Sequence, residues 1–409
     1  MWRSWPLTLR GTSALVLALA CGLLAPQLGL VELVWLGVLL VALIAGSLVA
    51  VLASRSRADV ARTFDPASPV VGTEVRVRVQ VALRGGAPSL GGRWRDELPS
   101  GVDGPATGAF PALASGLSRG DRSAAFDYTA VVQRRGIHWL GPLWLSTADP
   151  FGIARRTVSL GEPTRLVVTP AVIDLPTLPG LVGRAGGAVA SPVNRLGQGA
   201  DDVVARPYAP GDSMRRIHWR ASAHRDQLMV RQEEQETSPE ATIVLDRASS
   251  RWSPVAMEHP GADPTFERAV TLCASALVRL VHDGYAVDVI EPDGMPLCRR
   301  VESADSIALD DALLALATVT ARTDDRLPAI VDLFAGATTG PLVLVTGRLT
   351  AADAVPLAAV AHHSSFPLLL ATAPESGAFT AAHGWAAAEL GEDLAQSWRG
   401  AGRGGHVPA

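Results

Sequence analysis

The residues of this chain that could do chemistry are few and widely spread. His218 and His224 lie six residues apart with Asp226 close behind. Imidazoles and a carboxylate can hold zinc, but this spacing is not a helical i, i+4 pair and fits no common zinc pattern, so no metal site is expected there. Cys273 and Cys298 could be nucleophiles, yet neither stands near a His/Asp set in the sequence, and no Gly-x-Ser-x-Gly elbow occurs. With Cys21 they make an odd count without short spacings, which gives no disulfide framework and fits a reducing compartment. Gly183–Gly187 offers a partial glycine pattern that joins no clear strand to a helix, so a phosphate loop is not expected. Asp246 is better placed. It ends the apolar run Ala241–Asp246, and the carboxyl end of a buried parallel strand is where Rossmann-like sheets put their ligands. Asp246 and Ser250 could give two of the several oxygens a divalent ion requires. The corresponding loop after Leu342–Val345 reads Thr346-Gly347-Arg348, a cation with no carboxylate, so this metal loop reads as degenerate.

The densest signature is the block 201–236. Tyr208-Ala209-Pro210-Gly211-Asp212 reads as a type II turn, with Pro at i+1 and Gly at i+2. Arg215-Arg216-Ile217-His218-Trp219-Arg220 alternates charge with apolar bulk, so Ile217 and Trp219 are expected to share one face of an edge strand or amphipathic segment. One Trp without a second aromatic platform is a poor single-strand binder. Glu233, Glu234 and Glu236 are expected to neutralise the arginines locally. A basic, aromatic patch without catalytic geometry suits contact with a protein partner, and Arg206, Tyr208, Gly211, Asp212, Arg215, Arg216, Trp219 and Arg231 are the residues expected to make it.

These residues need elements to hold them. Gly11–Leu30 and Leu33–Ala53 are apolar runs long enough to cross ~30 Å of hydrocarbon as helices. Pro26, Gln27, Gly29 and Glu32 suggest the turn between them. Arg3 and Arg10 precede the pair, and Arg55, Arg57 and Arg62 follow it, so both ends are expected on the cytoplasmic side of the inner (plasma) membrane. A cleaved signal peptide would explain the first run but not the second. The pair also accounts for a hydrophobic content of 48% and a mean hydropathy of +0.22. All 36 basic residues are Arg, yet the net charge is −4, which argues against nucleic acid as a partner.

Beyond the hairpin, Val75, Val77, Val79 and Val81 alternate with polar residues as in a half-buried strand. Further strands are expected over Ala124–Val132, Leu140–Ser146 and Arg165–Thr169. Gly/Pro clusters separate them, and Arg134-Arg135-Gly136 and Asp149-Pro150-Phe151-Gly152 read as turns. This describes a β-sandwich. Ile173–Gln198 reads as a linker or a draped loop. After Thr237 apolar strands alternate with helices: Ala241–Asp246, a helix capped by Asp263-Pro264, Ala286–Ile290, a helix over Ile307–Val319, Leu342–Thr346, a helix over Ala351–His362, and Pro367–Ala371. A partly helical segment over Trp385–Trp398 and a disordered tail over Gly400–Gly405 close the chain. The expected organisation is a transmembrane hairpin (1–60), a β-sandwich (61–170), a linker with the signature block (171–236), and an α/β domain with a flexible tail (237–409).

Several of these segments together resemble a known family. Arg206-Pro207-Tyr208, Pro210-Gly211-Asp212, Arg215-Arg216-Ile217, Trp219-Arg220-Ala221-Ser222-Ala223 and Leu228-Met229-Val230-Arg231 resemble domain-of-unknown-function family fifty-eight. Arg134-Arg135-Gly136, Gly141-Pro142-Leu143, Asp149-Pro150-Phe151-Gly152 and the hairpin are similar to that family too. The family pattern has Asp at His218 and Arg at His224. The resemblance implies a von Willebrand factor A-like α/β domain, in which an Asp-x-Ser-x-Ser loop grips a divalent ion. Here Asp246 and Ser250 match while Ala248 replaces the middle Ser. It also implies a MoxR-type AAA+ ATPase as partner. The function expected is therefore a non-enzymatic, cofactor-free membrane scaffold that binds such an ATPase or an unknown client protein. The alternatives are a divalent-metal-dependent binding module using Asp246 and Ser250, and a hydrolase or transglutaminase-like enzyme.

Overall fold

The computed structural model describes residues 5–53, 57–84, 91–112, 123–178, 203–208, 214, 217, 219–225, 227–233, 239–336 and 338–404. It divides into two compact units. The first comprises 1–171 with the short segments 258–262 and 313–320; the second holds the remainder.

The first unit begins with α1 (Leu9–Leu28) and α2 (Val31–Ala53), both long and apolar enough to cross a membrane. They pack through small residues: Ala18, Cys21 and Ala25 are buried, and Gly37 lies against Ala18 and Cys21. Small side chains let helix backbones approach closely, the usual way such helices associate in lipid. Leucines, valines and Trp35 cover the outer faces of the pair. Pro26 does not break α1, as the sequence suggested. It sits in the last turn, and the helix ends at Gly29, whose left-handed backbone (φ 64°) lets its amide reach back to Ala25.

Ten strands follow: β1 (Arg57–Asp65), β2 (Glu74–Arg84), β3 (Gly92–Asp96), β4 (Val102–Asp103), β5 (Thr107–Phe110), β6 (Ser123–Val132), β7 (Gly136–Leu140), β8 (Leu143–Ala148), β9 (Arg155–Leu160) and β10 (Thr164–Val168). Two antiparallel sheets, ordered β1-β2-β6-β4 and β5-β3-β8-β9, share one core with the pair β10-β7. Val75, Val77, Val79 and Val81 are fully buried in it, each contributing on the order of 1.5–3 kcal/mol by leaving water. The strand expected over Leu140–Ser146 is instead split. Gly141 has φ 104° and Pro142 has no amide to donate, so β7 and β8 part at that point into different sheets.

Arg62 is not a membrane-flanking charge. It lies on β1 with its side chain fully enclosed, donating to Asp96 through Nε (3.0 Å) and Nη2 (2.7 Å). Nη1 donates to the Glu162 carbonyl and approaches the Thr164 hydroxyl, and the Tyr128 hydroxyl donates to Asp96 Oδ2 at 2.8 Å. Burial and the Asp96 charge push the Tyr128 phenol far up, so it stays a donor. A Cβ on Gly141 would fall 2.5 Å from Arg62 Nη2, which explains the glycine of the Gly141-Pro142-Leu143 segment.

The second unit carries the hairpin of β11 (Val203–Pro207) and β12 (Met229–Glu233), joined through α3 (Trp219–Arg225). Its main body is a five-stranded sheet of β13 (Glu240–Leu245), β14 (Ala286–Ile290), β15 (Thr339–Leu349), β16 (Ser364–Pro374) and β17 (Ala386–Glu389). The order is β14-β13-β15-β16-β17 and every pairing is parallel. The intervening helices are α4 (Pro264–His282), α5 (Ser306–Ala317), which runs on into the first unit, α6 (Ile330–Phe334), α7 (Ala351–Ala361), α8 (Ala378–Ala381) and α9 (Leu394–Gly404). Asp263 caps α4 through the Thr265 amide, with Pro264 at the first turn, as the sequence predicts.

The segment expected as a linker or a draped loop starts packed: Leu175 and Leu178 are buried, and the Pro176 carbonyl accepts from the Trp398 indole at 2.9 Å. Residues 179–202 lie outside the described residues. The segment from Trp385 is helical in part, as expected: it gives the edge strand β17 and then α9 from Leu394. The glycine-rich end is helical through Gly404 rather than disordered, because Trp398 and Ala401 are fully buried and a Cβ on Gly402 would meet Leu178 at 2.5 Å.

Candidate functional site at the sheet switch point

The chain runs from β13 out to β14, then returns to place β15 on the other side of β13. The connections therefore diverge between β13 and β15, and the carboxyl ends of strands beside such a divergence form a crevice where open α/β sheets bind ligands. Asp246 follows β13 at this point and is 1% exposed. Thr346, on β15, donates its hydroxyl to Asp246 Oδ2 at 2.7 Å, and the Ala248 amide donates to Oδ1 at 3.0 Å. The Trp252 indole fixes the Asp246 carbonyl at 3.0 Å.

The cation beside Asp246 is a side chain of the protein. A short 3₁₀ turn, Ser249–Arg251, turns Arg251 inward while Ser250 stays exposed. Arg251 Nε lies 3.4 Å from Asp246 Oδ2, Nη1 lies 2.7 Å from Asp325, and Nη2 donates to Asp353 at 2.9 Å. Asp353 is held by the first turn of α7, where it and Thr350 form a reciprocal capping box. A Cβ on Gly347 would lie 2.1 Å from the Arg251 carbonyl, so the glycine makes room for this turn. The sequence expectation that the second loop lacks a carboxylate is thus corrected: Asp353 comes from beyond the end of β15, a strand longer than its apolar core.

Burial pushes the Asp246 carboxyl up, against the opposing pull of Arg251, the Ala248 amide and Thr346. Burial opposes the charge of Arg251, but Asp325, Asp246 and Asp353 outweigh it and hold the guanidinium firmly protonated. Asp353 is lowered: its partial burial is outweighed by Thr350 and Arg251. Next to this group, buried Glu291 accepts from Arg247 and Arg322, both at 2.7 Å. Among the described residues no three His, Cys, Asp or Glu side chains converge as ligands for a metal. The carboxylates converge on Arg251 instead.

Arg251, Asp325 and Asp353 were not singled out by sequence reasoning. Arg251 reads as one more arginine among many, and only the Thr350-x-x-Asp353 cap pattern marks one of its partners.

The signature block is partly described. Arg206 and Arg231 are on β11 and β12, in register with Val230 and Ala205. Tyr208 is half-buried, and its amide donates to the Leu228 carbonyl at 2.7 Å. Trp219 opens α3 and is 68% exposed, while Ile217 is buried, so the two do not share a face as strand alternation predicted; the helix starts between them. Met214 (62%) and Leu228 (44%) are exposed as well, and Met229 is buried with its amide on the Ser222 hydroxyl. His224 is exposed. Gly211, Asp212, Arg215, Arg216, His218, Asp226, Glu234 and Glu236 lie outside the described residues, and with them the expected turn and charge pairing.

No curated protein matches the chain. Residues 204–285 match the family described as "Protein of unknown function DUF58". That stretch runs from β11 through the hairpin, β13, Asp246 and Arg251 to the end of α4, and over it the chain is similar to the DUF58 family.

Proposed function

We propose that this chain is a membrane-anchored, non-catalytic scaffold, held by the α1–α2 hairpin, that docks a partner protein through the block around α3. The observation that carries the reading is the surface of that block. Trp219, Met214 and Leu228 present large apolar side chains to solvent while Ile217 and Met229 anchor the same segment in the core. Exposed aromatic and methionine side chains at one site mark a surface for a protein partner, and tryptophan is the residue type most enriched in interface hot spots.

Two features weigh against chemistry in the second unit. Asp246, the best-placed carboxylate, is already matched by Arg251, so the metal-dependent reading has its cation position taken by the chain itself. The thiols are protonated at neutral pH: burial pushes Cys298 up to about 11 and fully buried Cys273 higher still, so neither is an activated nucleophile.

The partner expected from the family resemblance is a MoxR-type AAA+ ATPase, or its client, on the cytoplasmic side of the inner membrane. A photocrosslinking residue at Trp219 in native membranes tests this. The reading expects a crosslink to an AAA+ ATPase that is lost in a Met214→Ala, Leu228→Ala variant. No crosslink at Trp219, or substrate turnover by the purified chain alone, would overturn it. Proteolysis of sealed inverted vesicles tests the sidedness: the soluble units should be cut from the cytoplasmic face.

A further inference from the structure

The Asp149-Pro150-Phe151-Gly152 turn does more than reverse the chain. It fastens the sandwich to both apolar helices. Asp149 accepts from the Phe151 amide (2.9 Å) and the Ala154 amide (2.6 Å), and Ser47 on α2 donates its hydroxyl to Oδ2 at 3.0 Å in a buried contact. At the start of α1, Thr8 donates its hydroxyl to the Gly152 carbonyl and its amide to the Ile153 carbonyl, and the Arg155 amide donates to Pro6. Gly11 fits against Ile153 with no room for a Cβ.

The position of Ser47 sets the depth of this turn. Ser47 is sixteen residues from the start of α2 at Val31 and six from its end at Ala53. At ~1.5 Å per residue it stands ~24 Å along a helix whose hydrocarbon slab is ~30 Å thick. With about 6 Å of slab left beyond Ser47, a group hydrogen-bonded to it is drawn just inside the boundary where acyl chains meet headgroups. A carboxylate there is tolerable because its oxygens are filled by two amides and a hydroxyl. Phe151, two residues on, is not drawn inside the protein: it is 60% exposed. Trp5, just before α1, is exposed as well, and Arg10 reaches toward Gly152. An aromatic ring, an indole and a guanidinium around one helix end are the residue types that settle at a bilayer interface.

We infer that the Asp149–Ala154 turn is a lipid-contacting element, with Phe151 immersed at the headgroup–acyl boundary of the leaflet at the start of α1 and the end of α2. This rests on the hairpin crossing the membrane. It turns a flexible tether into a fixed mount, because the sandwich is then held by two helices and by the bilayer surface.

Nitroxide accessibility of the full chain in phosphatidylcholine/phosphatidylglycerol vesicles tests it, in a Cys298→Ser background with the two buried cysteines left in place. Single labels go on Phe151→Cys, on Leu39→Cys at the exposed middle of α2, and on Arg93→Cys on the exposed side of β3. The oxygen-to-nickel collision ratio at 151 should be several-fold above that at 93 and approach that at 39. A ratio at 151 equal to that at 93, with 39 still oxygen-rich, overturns the lipid contact and leaves the hairpin intact. An aqueous reading at 39 removes the membrane crossing, and the lipid contact with it.

Discussion

Each unit buries an arginine against aspartate, and the two centres differ in charge and in place. Arg62 meets Asp96 as a one-to-one, bidentate pair with both side chains fully enclosed, and Tyr128, Glu162 and Thr164 supply the remaining hydrogen bonds. Arg251 meets three carboxylates, and two of them, Asp325 and Asp353, keep part of their surface in water. The first centre is neutral, closed and inside a sandwich. The second is acid-rich and opens at the divergence of a parallel sheet, a place that folds of this kind use for ligands. A balanced, saturated ion pair holds structure. An unbalanced one, with two of its carboxylates partly in water, leaves net negative charge at the carboxyl edge of the sheet. Each arginine also requires a glycine: Gly141 clears the Arg62 guanidinium, and Gly347 clears the Arg251 backbone.

Removing the arginines should separate the two most clearly. Arg62→Ala leaves Asp96 charged, buried and without its partner, which costs about 3–5 kcal/mol. Urea unfolding of the detergent-solubilised chain should show the sandwich losing most of its stability, and a loss under ~1 kcal/mol would mean that water reaches Asp96 after all. Arg251→Ala removes one cation from three carboxylates, but Asp325 and Asp353 can turn to solvent. Its cost should be smaller, about 1–3 kcal/mol. Since the carboxylates are spaced around a guanidinium and not around an ion, added Mg²⁺ should not restore the variant. Recovery of its melting temperature at millimolar Mg²⁺ would revive the metal-dependent reading.

Acid should act within the second centre in two opposed ways. The folded pKa of Asp353 is depressed, so its contribution to stability is present above its unfolded value near 3.8 and is lost as pH falls through the lower folded value. That of Asp246 is raised, so its contribution is fullest below 3.8 and declines as pH rises through the higher folded value. Melting curves between roughly pH 2 and 7 should therefore move in opposite senses: Asp353→Asn flattens the acid-side fall, and Asp246→Asn steepens it. Matching changes in both variants would show that Arg251 does not divide its charge between them as the geometry indicates.

The sequence made the scaffolds of these centres legible and their contents obscure. Val75–Val81 announces β2 by alternation, and Asp263-Pro264 announces α4 by capping chemistry, because both signals are local. Arg62 looked like a charge flanking the membrane, since its place after an apolar run is visible and its partner on β3 is not. The split at Gly141-Pro142 was hidden for the same reason: an apolar run continues through it, and only the positive φ and the guanidinium behind the glycine reveal the break. Arg251 and Asp353 are about a hundred residues apart and meet only once the sheet has formed. Gly400 and Gly402 argue locally against a helix, and the buried Trp398 and Ala401 override them through packing. The reverse holds for Trp219. Alternation put it with Ile217 on one face, and the start of α3 turns it out to solvent.

Trp219 should give the smallest effect on stability and the clearest on binding. Its side chain is mostly in water, so Trp219→Ala should change the unfolding free energy by within about 0.5 kcal/mol, as surface substitutions do. Retained exposure of an indole is costly to solubility unless something covers it, so the same substitution should abolish recovery of the partner from solubilised membranes while the melting temperature stays put. Arg62→Ala should also lower recovery, but only in step with its loss of folded protein. If Trp219→Ala instead lowers stability by more than ~1 kcal/mol, α3 is packed against the core and the block belongs with the structural arginine of the sandwich. Unchanged stability with unchanged recovery leaves the surface without a partner and moves the search for one to the acid-rich crevice at Arg251.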